Sequence, residues 1–181
     1  IRAFEITYDP ADPNTLDTIK KNVEDLDAKF QGKLLLGVGT VLNREQVRNA
    51  KEAGAKFIVS PNFSRAVVEE TLEQGLVSMP GAMTPTEICE ADEAGADFIK
   101  LFPAGTLGLK YCKDIYAPLH HVKYIATVGV TEETFRQYLE IGFAGAGISS
   151  MLVDKKLRAE GNYAELTERA RRFTAIAEAF S

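Results

Sequence analysis

The chain has 181 residues, enough for one domain with a full core, and its 45% hydrophobic and 26% charged residues are typical of a globular protein. A formal net charge of −5, with basic residues interleaved among acidic ones, argues against nucleic-acid binding, since phosphate neutralisation needs a basic patch. No run approaches the roughly 18–20 apolar residues of a membrane span, and no signal peptide is recognisable. Two isolated cysteines fit neither a disulfide framework nor a zinc site. We therefore expect a cytoplasmic protein that binds neither nucleic acid nor a membrane.

Short β-like runs alternate with amphipathic helical stretches, and glycines close the helices. This order predicts a parallel sheet covered by helices, within a single domain over residues 1–181. Predicted helices include Arg44–Ala53, Glu132–Ile141 and a C-terminal helix with one apolar face. The predicted strands are Phe4–Thr7, Leu34–Gly37, Phe57–Ser60, Leu76–Met79, Phe98–Phe102, Tyr124–Thr127 and Ala144–Ile148.

A weak internal repeat supports a strand–helix module. The run from Glu52 to Ile58 recurs from Glu93 to Ile99, and each copy has the pattern of a helix end, a glycine C-cap and a strand start. Such a repeat is typical of a (β/α)8 barrel, although a doubly wound open sheet has a similar local pattern.

Lys100 lies between Ile99 and Leu101 in a strand-like run, and side-chain alternation places it on the same face as Phe98 and Phe102. Loss of hydration among apolar neighbours lowers the pKa of a lysine and favours the neutral, nucleophilic amine. Such an amine can form a Schiff base with a ketone or aldehyde, and the imine accepts electrons when a neighbouring carbon–carbon bond breaks. The alternative is a lysine whose stem covers apolar surface while its ammonium group reaches water.

Glu5 is the second candidate catalytic residue. Alternation places Glu5 and Thr7 on one face of the first strand, and Phe4 and Ile6 on the other. We expect the apolar pair to pack against helices and Glu5 to point toward the axis of the barrel. A carboxylate there could act as a general acid/base, and an ion pair with a basic neighbour is the alternative.

Several turns that follow strands could bind a ligand. Their glycines permit close approach of the backbone, and N–H groups after the last two strands could bind a phosphate or carboxylate. Plain turns and helix caps would look much the same, and Thr131 has the position of an N-cap. A Gly-x-Gly without a third glycine is weak evidence for a dinucleotide site. These turns are Gly37–Thr40, Pro80–Thr84, Thr127–Thr131 and Gly147–Met151.

His120 and His121 are adjacent, so their side chains point in different directions. Neither has a His, Cys or Asp partner at metal-ligand spacing. A surface or loop position is favoured for both, and we expect no metal and no cofactor.

Taken together, these segments resemble the family of 2-keto-3-deoxy-6-phosphogluconate (KDPG) and 4-hydroxy-2-oxoglutarate (KHG) aldolases. The resemblance implies a (β/α)8 TIM barrel, a homotrimer and a class I aldolase. The implied substrate is a 2-keto-3-deoxy sugar acid, with or without a 6-phosphate, or a 4-hydroxy-2-oxo acid, cleaved to pyruvate and an aldehyde. The similarity runs from about Phe4 to the C-terminal helix and rests on Phe98–Ala104, Phe4–Thr7, Gly37–Val41, Ser60–Pro61 and Met79–Gly81 with Thr84.

The resemblance also implies residue roles. Lys100 would be the Schiff-base nucleophile and Glu5 the general acid/base, while Phe102 would shape the surroundings of the lysine. Thr40, Gly81 and Thr127 would hold pyruvate. The full predicted substrate-binding set is Thr40, Pro61, Pro80, Gly81, Thr84, Phe102, Thr127, Gly129, Ser149 and Ser150.

The sequence departs from the family pattern in three places. Asp9 stands where many members have arginine. The usual Thr-Gly-Gly is Thr127-Val128-Gly129, and the usual glycine pair before serine is Ile148-Ser149; a side chain at either position could obstruct the approach of a phosphate to the backbone. The family's first strand and helix do not precede Ile1, so we expect an N-terminal extension of roughly 40 residues, about one βα unit.

Two other functions remain open at this point. One is a phosphosugar epimerase or decarboxylase on the same barrel, in which Lys100 is only an electrostatic group. The other is a non-catalytic barrel that binds sugar acids, for which the altered glycine turns are the main argument.

Overall fold

Parallel strands alternate with helices throughout the computed structural model, which describes residues 1–180. The predicted α/β architecture with parallel strands is thereby confirmed. The chain divides into two units, Ile1–Lys100 (unit 1) and Leu101–Ser181 (unit 2). The single barrel domain over residues 1–181 stays a prediction.

Unit 1 contains six strands, and the last of them, β6, continues to Leu101. Every predicted strand of this unit is present, and one short strand, β5, was not predicted. It follows Pro80 and has only two residues, too few to give a pattern. The elements are β1 (Ala3–Thr7), α1 (Thr15–Phe30), β2 (Leu35–Gly39), α2 (Arg44–Glu52), β3 (Phe57–Val59), α3 (Arg65–Glu73), β4 (Val77–Met79), β5 (Gly81–Ala82), α4 (Pro85–Glu93) and β6 (Ile99–Leu101).

The first four strands form one parallel sheet in the order β1-β2-β3-β4. In the register of β1 and β2, Glu5 lies opposite Gly37 and Thr7 lies opposite Gly39, while Phe57 of β3 also lies opposite Gly37. Because the strands are parallel, their carboxyl ends lie along one edge of the sheet. This edge carries the residues that follow Thr7 and Gly39.

The core of unit 1 lies between this sheet and its helices. Val38 of β2 and Ile58 of β3 are buried against Ile19 of α1 and Val47 of α2. Ile6 packs against this core as expected, but the expectation was wrong for Phe4, whose side chain is 43% exposed. Within the described residues 1–180, β1 lies at the end of the sheet order and pairs with β2, so fewer of these residues cover its side chains.

The predicted helix ends are confirmed by backbone geometry. In the internal repeat, Gly54 and Gly95 follow α2 and α4 with φ of 96° and 88°, a left-handed conformation that favours glycine. Thr84 caps α4 in a capping box with Glu87, and the side-chain oxygen of Asn43 accepts from the Gln46 N–H at the start of α2.

Unit 2 has four helices and two further strands. Strands β7 and β8 pair in parallel, with Thr127 opposite Gly147. A stacked aromatic cluster of Tyr124, Tyr138 and Phe143 fills its interior, and Thr131 caps the helix that follows β7, as predicted. The elements are α5 (Ala104–Tyr116), β7 (Tyr124–Thr127), α6 (Glu132–Ile141), β8 (Gly145–Gly147), α7 (Lys155–Ala159) and α8 (Tyr163–Glu178). Over residues 1–180, no helix is both long and apolar enough to cross a membrane.

Candidate active site

Lys100 occupies the middle of β6. Its strand neighbours Ile99 and Leu101 are 1% and 0% exposed, so they face the core, while the Lys100 side chain lies on the opposite face and is partly buried. The backbone N–H of Lys100 donates to the carbonyl of Pro80 at 2.9 Å. This bond fixes β6 beside the strand end that carries Pro80 and Gly81.

The surroundings of Lys100 lower the pKa of its ammonium group. Desolvation by burial lowers the pKa of its ammonium group, and the carboxylate of Glu5 opposes this with a smaller effect that raises the pKa. The net direction is downward from the ordinary value of 10.5. The structure therefore brings Lys100 and Glu5 close enough for their charges to interact, an arrangement compatible with the predicted nucleophile and general acid/base.

Glu5 lies on the exposed face of β1, opposite to Ile6. The hydroxyl of Thr7, on the same face, donates to Oε1 of Glu5 at 3.3 Å. The carboxylate also lies over Gly39 of the neighbouring strand, in the space that a side chain there would occupy. Sequence alternation placed Thr7 beside Glu5, but the contact with Gly39 could not be read from sequence.

The turns after β2 and β3 are bonded to each other. The buried hydroxyl of Ser60 donates to the carbonyl of Val41 at 2.8 Å, and the Val41 N–H donates to the carbonyl of Val59. Thr40 lies in the first of these turns with φ of 61°, an unusual conformation for a β-branched residue. Pro61 lies in the second turn. In the sequence, Ser60 is recognisable only as part of a motif, and its role in holding the turn of Thr40 depends on a contact with a residue 19 positions away.

Gly81 and Pro61 are in close contact. A side chain at Gly81 would overlap the carbonyl of Pro61 and lie 2.9 Å from the backbone N of Asn62, so only glycine fits there. Gly81 and Pro80 are both buried. Of the predicted binding residues, unit 1 thus groups Thr40, Pro61, Pro80 and Gly81 along one edge of its strands.

Thr84 has an evident role in local structure. Its hydroxyl donates to Oε2 of Glu87 at 2.9 Å, and its backbone N–H donates to the same oxygen at 2.8 Å. The backbone N–H of Met83 also donates to this carboxylate. The pKa of Glu87 lies below its ordinary value; the hydrogen bond from Met83 is the largest cause, and the backbone hydrogen bond from Thr84 is the second. Contact between Thr84 and substrate stays a prediction.

In unit 2, predicted site residues lie at the start of the unit and at the end of β7. Phe102 is partly buried. The hydroxyl of Thr127 donates to the carbonyl of Leu101 at 3.1 Å. Val128 and Gly129 follow, with φ of 70° and 65°, and the Val128 side chain is 45% exposed. Valine thus adopts a left-handed conformation that glycine would adopt without strain.

Ser149 and Ser150 lie in the exposed turn after β8. The carbonyl of Ser149 accepts hydrogen bonds from the N–H groups of Leu152 and Val153, at 2.9 and 2.8 Å. The turn is therefore closed by its own backbone. The role of both serines in binding substrate stays a prediction.

The remaining titratable groups offer no competing site among the described residues. Over residues 1–180, no group of three or more His, Cys, Asp or Glu side chains could hold a metal ion. Cys112 is fully buried, and burial raises the pKa of its thiol to about 11, which disfavours the nucleophilic thiolate. His120 and His121 are exposed.

Comparisons with known proteins show a matching family and similar enzymes. The family described as "KDPG and KHG aldolase" matches residues 1–169. The chain is 40% identical over 124 residues to the 2-dehydro-3-deoxy-6-phosphogalactonate aldolase of Escherichia coli (strain K12), and this segment covers 68% of the chain and 60% of that enzyme. It is 30% identical over 145 residues to the KHG/KDPG aldolase of the same organism, covering 80% of the chain and 68% of the relative.

A solved structure is similar over most of its length. The KDPG aldolase of Legionella pneumophila, with pyruvate captured as a covalent carbinolamine intermediate, superposes with a TM-score of 0.80 at 25% identity. The match covers 96% of this chain and 81% of that one. The chain spans about three fifths of the length of the 2-dehydro-3-deoxy-6-phosphogalactonate aldolase of Escherichia coli, since the aligned segment covers 60% of that enzyme.

Proposed function

Because the chain belongs to the KDPG and KHG aldolase family, we propose that it is a class I aldolase. The proposed substrate is a 2-keto-3-deoxy sugar acid or a 4-hydroxy-2-oxo acid, and the products are pyruvate and an aldehyde. The observation that carries the proposal is the partly buried Lys100, whose pKa is lowered by desolvation and whose ammonium group interacts with the Glu5 carboxylate.

In the first half of the proposed reaction, the neutral Nζ of Lys100 attacks the keto carbon of the substrate and forms a carbinolamine. Glu5 donates a proton to the departing hydroxyl, and loss of water leaves an iminium ion. Glu5, now ionised, accepts the proton of the C4 hydroxyl. The C3–C4 bond then breaks, its electron pair passes into an enamine, and the aldehyde leaves.

In the second half, Glu5 returns its proton to C3 of the enamine, which regenerates the iminium ion. Water adds to the imine carbon and gives up a proton to the Glu5 carboxylate, and the C–N bond breaks to release pyruvate and the neutral amine of Lys100. Glu5 is then protonated again, as it was at the start of the cycle. The water lost in the first half is regained here, so the net reaction is the cleavage of one molecule into two.

The proposed pyruvate site consists of Thr40, Pro61, Pro80 and Gly81. Two observations support this assignment: the hydrogen bonds between the turns after β2 and β3, and the close contact of Gly81 with Pro61. For Thr84, Phe102, Thr127, Gly129, Ser149 and Ser150 the support is the family resemblance, and for Thr127 also its bond to the residue after Lys100. Within this set, the resemblance implies that Thr127 holds pyruvate and that Phe102 shapes the surroundings of Lys100.

The (β/α)8 barrel and the homotrimer are part of the same proposal. Their support is family membership and the parallel alternating architecture. Multi-angle light scattering of the full-length protein is expected to give three times the mass of one chain. A monomer that retains full activity would contradict the trimer.

The test of the function is chemical trapping. The protein is incubated with pyruvate and sodium borohydride, and the modified peptide is located by mass spectrometry. Reduction of an imine is expected to leave a stable pyruvate-derived adduct on Lys100. Lys110, an exposed lysine paired with Asp114, is the matched control: Lys110→Met is expected to trap as the unmodified sequence does, and Lys100→Met to trap nothing.

A folded protein without an adduct would contradict the proposal. In that case the epimerase or decarboxylase and the binding-protein hypotheses would be tested next, by turnover of phosphosugars and by binding of sugar acids.

A further inference from the structure

We infer that Gly39 is a positioning residue for the general acid/base, because the space left by its missing side chain holds the Glu5 carboxylate. The inference rests on the proposed function and adds a residue to it. Gly39 itself touches no reacting atom, and it acts through the location that it gives to the two carboxylate oxygens.

The first observation is steric. A Cβ atom built on Gly39 would overlap Oε1 and Cδ of Glu5 and would lie 2.9 Å from its Cγ. All three nearest atoms belong to Glu5. Any side chain at position 39 therefore competes with the carboxylate for the same space.

Backbone conformation does not explain the glycine. Gly39 is the last residue of the regular strand β2 and is not among the glycines with positive φ, so an L-residue could adopt its dihedral angles. Glycine inside a strand lowers stability relative to alanine, because its backbone loses more conformational freedom on folding. The close approach of the carboxylate gives a structural reason for the glycine.

One hydrogen bond reaches the Glu5 carboxylate, and a second joins the two strands beside it. Thr7, opposite Gly39 in the register, donates its hydroxyl to Oε1 of Glu5 at 3.3 Å. The N–H of Tyr8 donates to the carbonyl of Gly39 at 2.8 Å and fixes the two strands at this point. The carboxylate thus lies between a hydroxyl of its own strand and the bare backbone of the next.

The location matters because Glu5 is an exposed residue, and an exposed glutamate side chain can adopt several rotamers unless its surroundings select one. With a side chain at position 39, the carboxylate would have to leave the space that it occupies above the strand. A displacement of about 1 Å at a reacting group can lower a rate about 100-fold. The same displacement would alter the charge interaction with Lys100.

Gly37 provides the matched control. It lies two residues earlier on the same face of β2, and a Cβ there would overlap the ring of Phe57 rather than Glu5. Both Gly37→Ala and Gly39→Ala add one methyl group to the same strand. Of these two methyl groups, the one at position 39 would occupy the space of the Glu5 carboxylate.

The test is a double-mutant cycle on full-length protein, measured as kcat and KM for cleavage and as exchange of the pyruvate methyl protons in deuterated water. Gly39→Ala is expected to lower kcat and the exchange rate about 100-fold while KM changes little. In the Glu5→Gln background the same substitution is expected to have no further effect, since the group that it displaces no longer transfers protons. Gly37→Ala is expected to lower thermal stability and to act independently of Glu5→Gln.

Equal losses from Gly39→Ala in both backgrounds, or a kcat that is unchanged by it, would overturn the inference. If Gly39→Ala does not fold, Thr7→Val replaces it in the cycle, because it removes the other contact of Oε1. Its loss must then also vanish in the Glu5→Gln background, or the inference fails. Borohydride trapping on Lys100 is measured in parallel: absence of an adduct in the unmodified sequence rejects the proposed function, whereas an adduct with an additive cycle rejects only the role of Gly39.

Discussion

The candidate site residues of unit 1 and those of unit 2 differ in how they are held. In unit 1, the residues around Lys100 are fixed by buried contacts, such as the bond from Ser60 to Val41 and the contact between Gly81 and Pro61. In unit 2, Val128, Ser149 and Ser150 lie in exposed turns. If the proposed bond chemistry takes place at Lys100, we expect it to be sensitive to small displacements along the edge of unit 1 and less sensitive to changes in the exposed turns of unit 2.

The largest effect is expected at Lys100. Lys100→Met removes the nucleophile and is expected to lower kcat about 10⁴-fold or more. It also removes a partly desolvated ammonium group, so we expect the free energy of unfolding at pH 7 to be maintained or increased. Steady-state kinetics measures kcat, and urea denaturation measures the free energy of unfolding. Appreciable turnover by the variant would show that the chemistry of unit 1 does not depend on this lysine.

Glu5→Gln is expected to have the next largest effect, a loss of about 10²–10⁴-fold in kcat. It also changes the pH dependence of trapping. The Glu5 carboxylate raises the pKa of Lys100, so its removal lowers that pKa further, and the neutral amine persists to lower pH. The midpoint of pyruvate adduct formation against pH is therefore expected to shift downward. An upward shift, or none, would contradict the charge interaction.

Ser60→Ala tests the edge of unit 1 without touching the nucleophile. It leaves the buried carbonyl of Val41 without its hydroxyl donor, which is expected to lower the free energy of unfolding by about 1–3 kcal/mol. We also expect a higher KM, since the turn that carries Thr40 loses its anchor. Thr71→Ala is the control, because Thr71 donates a similar buried bond to the carbonyl of Val67 within α3. Equal changes of KM in both variants would mean that only global stability is measured.

The smallest effect is expected for Val128→Gly in unit 2. Relief of a left-handed valine, worth roughly 1–2 kcal/mol, is partly offset by the greater backbone entropy of glycine, so stability is expected to rise by about 1 kcal/mol or less. Trapping of pyruvate on Lys100 is expected to be unchanged. The ratio of kcat/KM for phosphorylated and unphosphorylated substrates reports any role of this turn at the far end of the substrate. A large loss of trapping would remove the distinction between the two units.

Much of the local structure was accessible from sequence. Side-chain alternation placed Lys100 opposite to Ile99 and Leu101, and Thr131 was recognised as a cap from its position before acidic residues. The helix Glu132–Ile141 has the predicted bounds. The two-residue strand Gly81–Ala82 was missed, because period-two alternation needs more residues to become visible. Phe4 was expected to be buried, but exposure depends on which strands flank it.

By itself, the sequence determined the elements, the family resemblance and the two residues that carry the proposed chemistry, since periodicity, caps and motifs are local properties of the chain. The lowered pKa of Lys100 was predicted from its apolar sequence neighbours and is confirmed in direction. Only the tertiary structure decided that the Glu5 carboxylate lies over Gly39 and that Ser60 holds the turn of Thr40. These features join residues distant in sequence. They depend on strand register and burial, which arise only when the strands and helices pack.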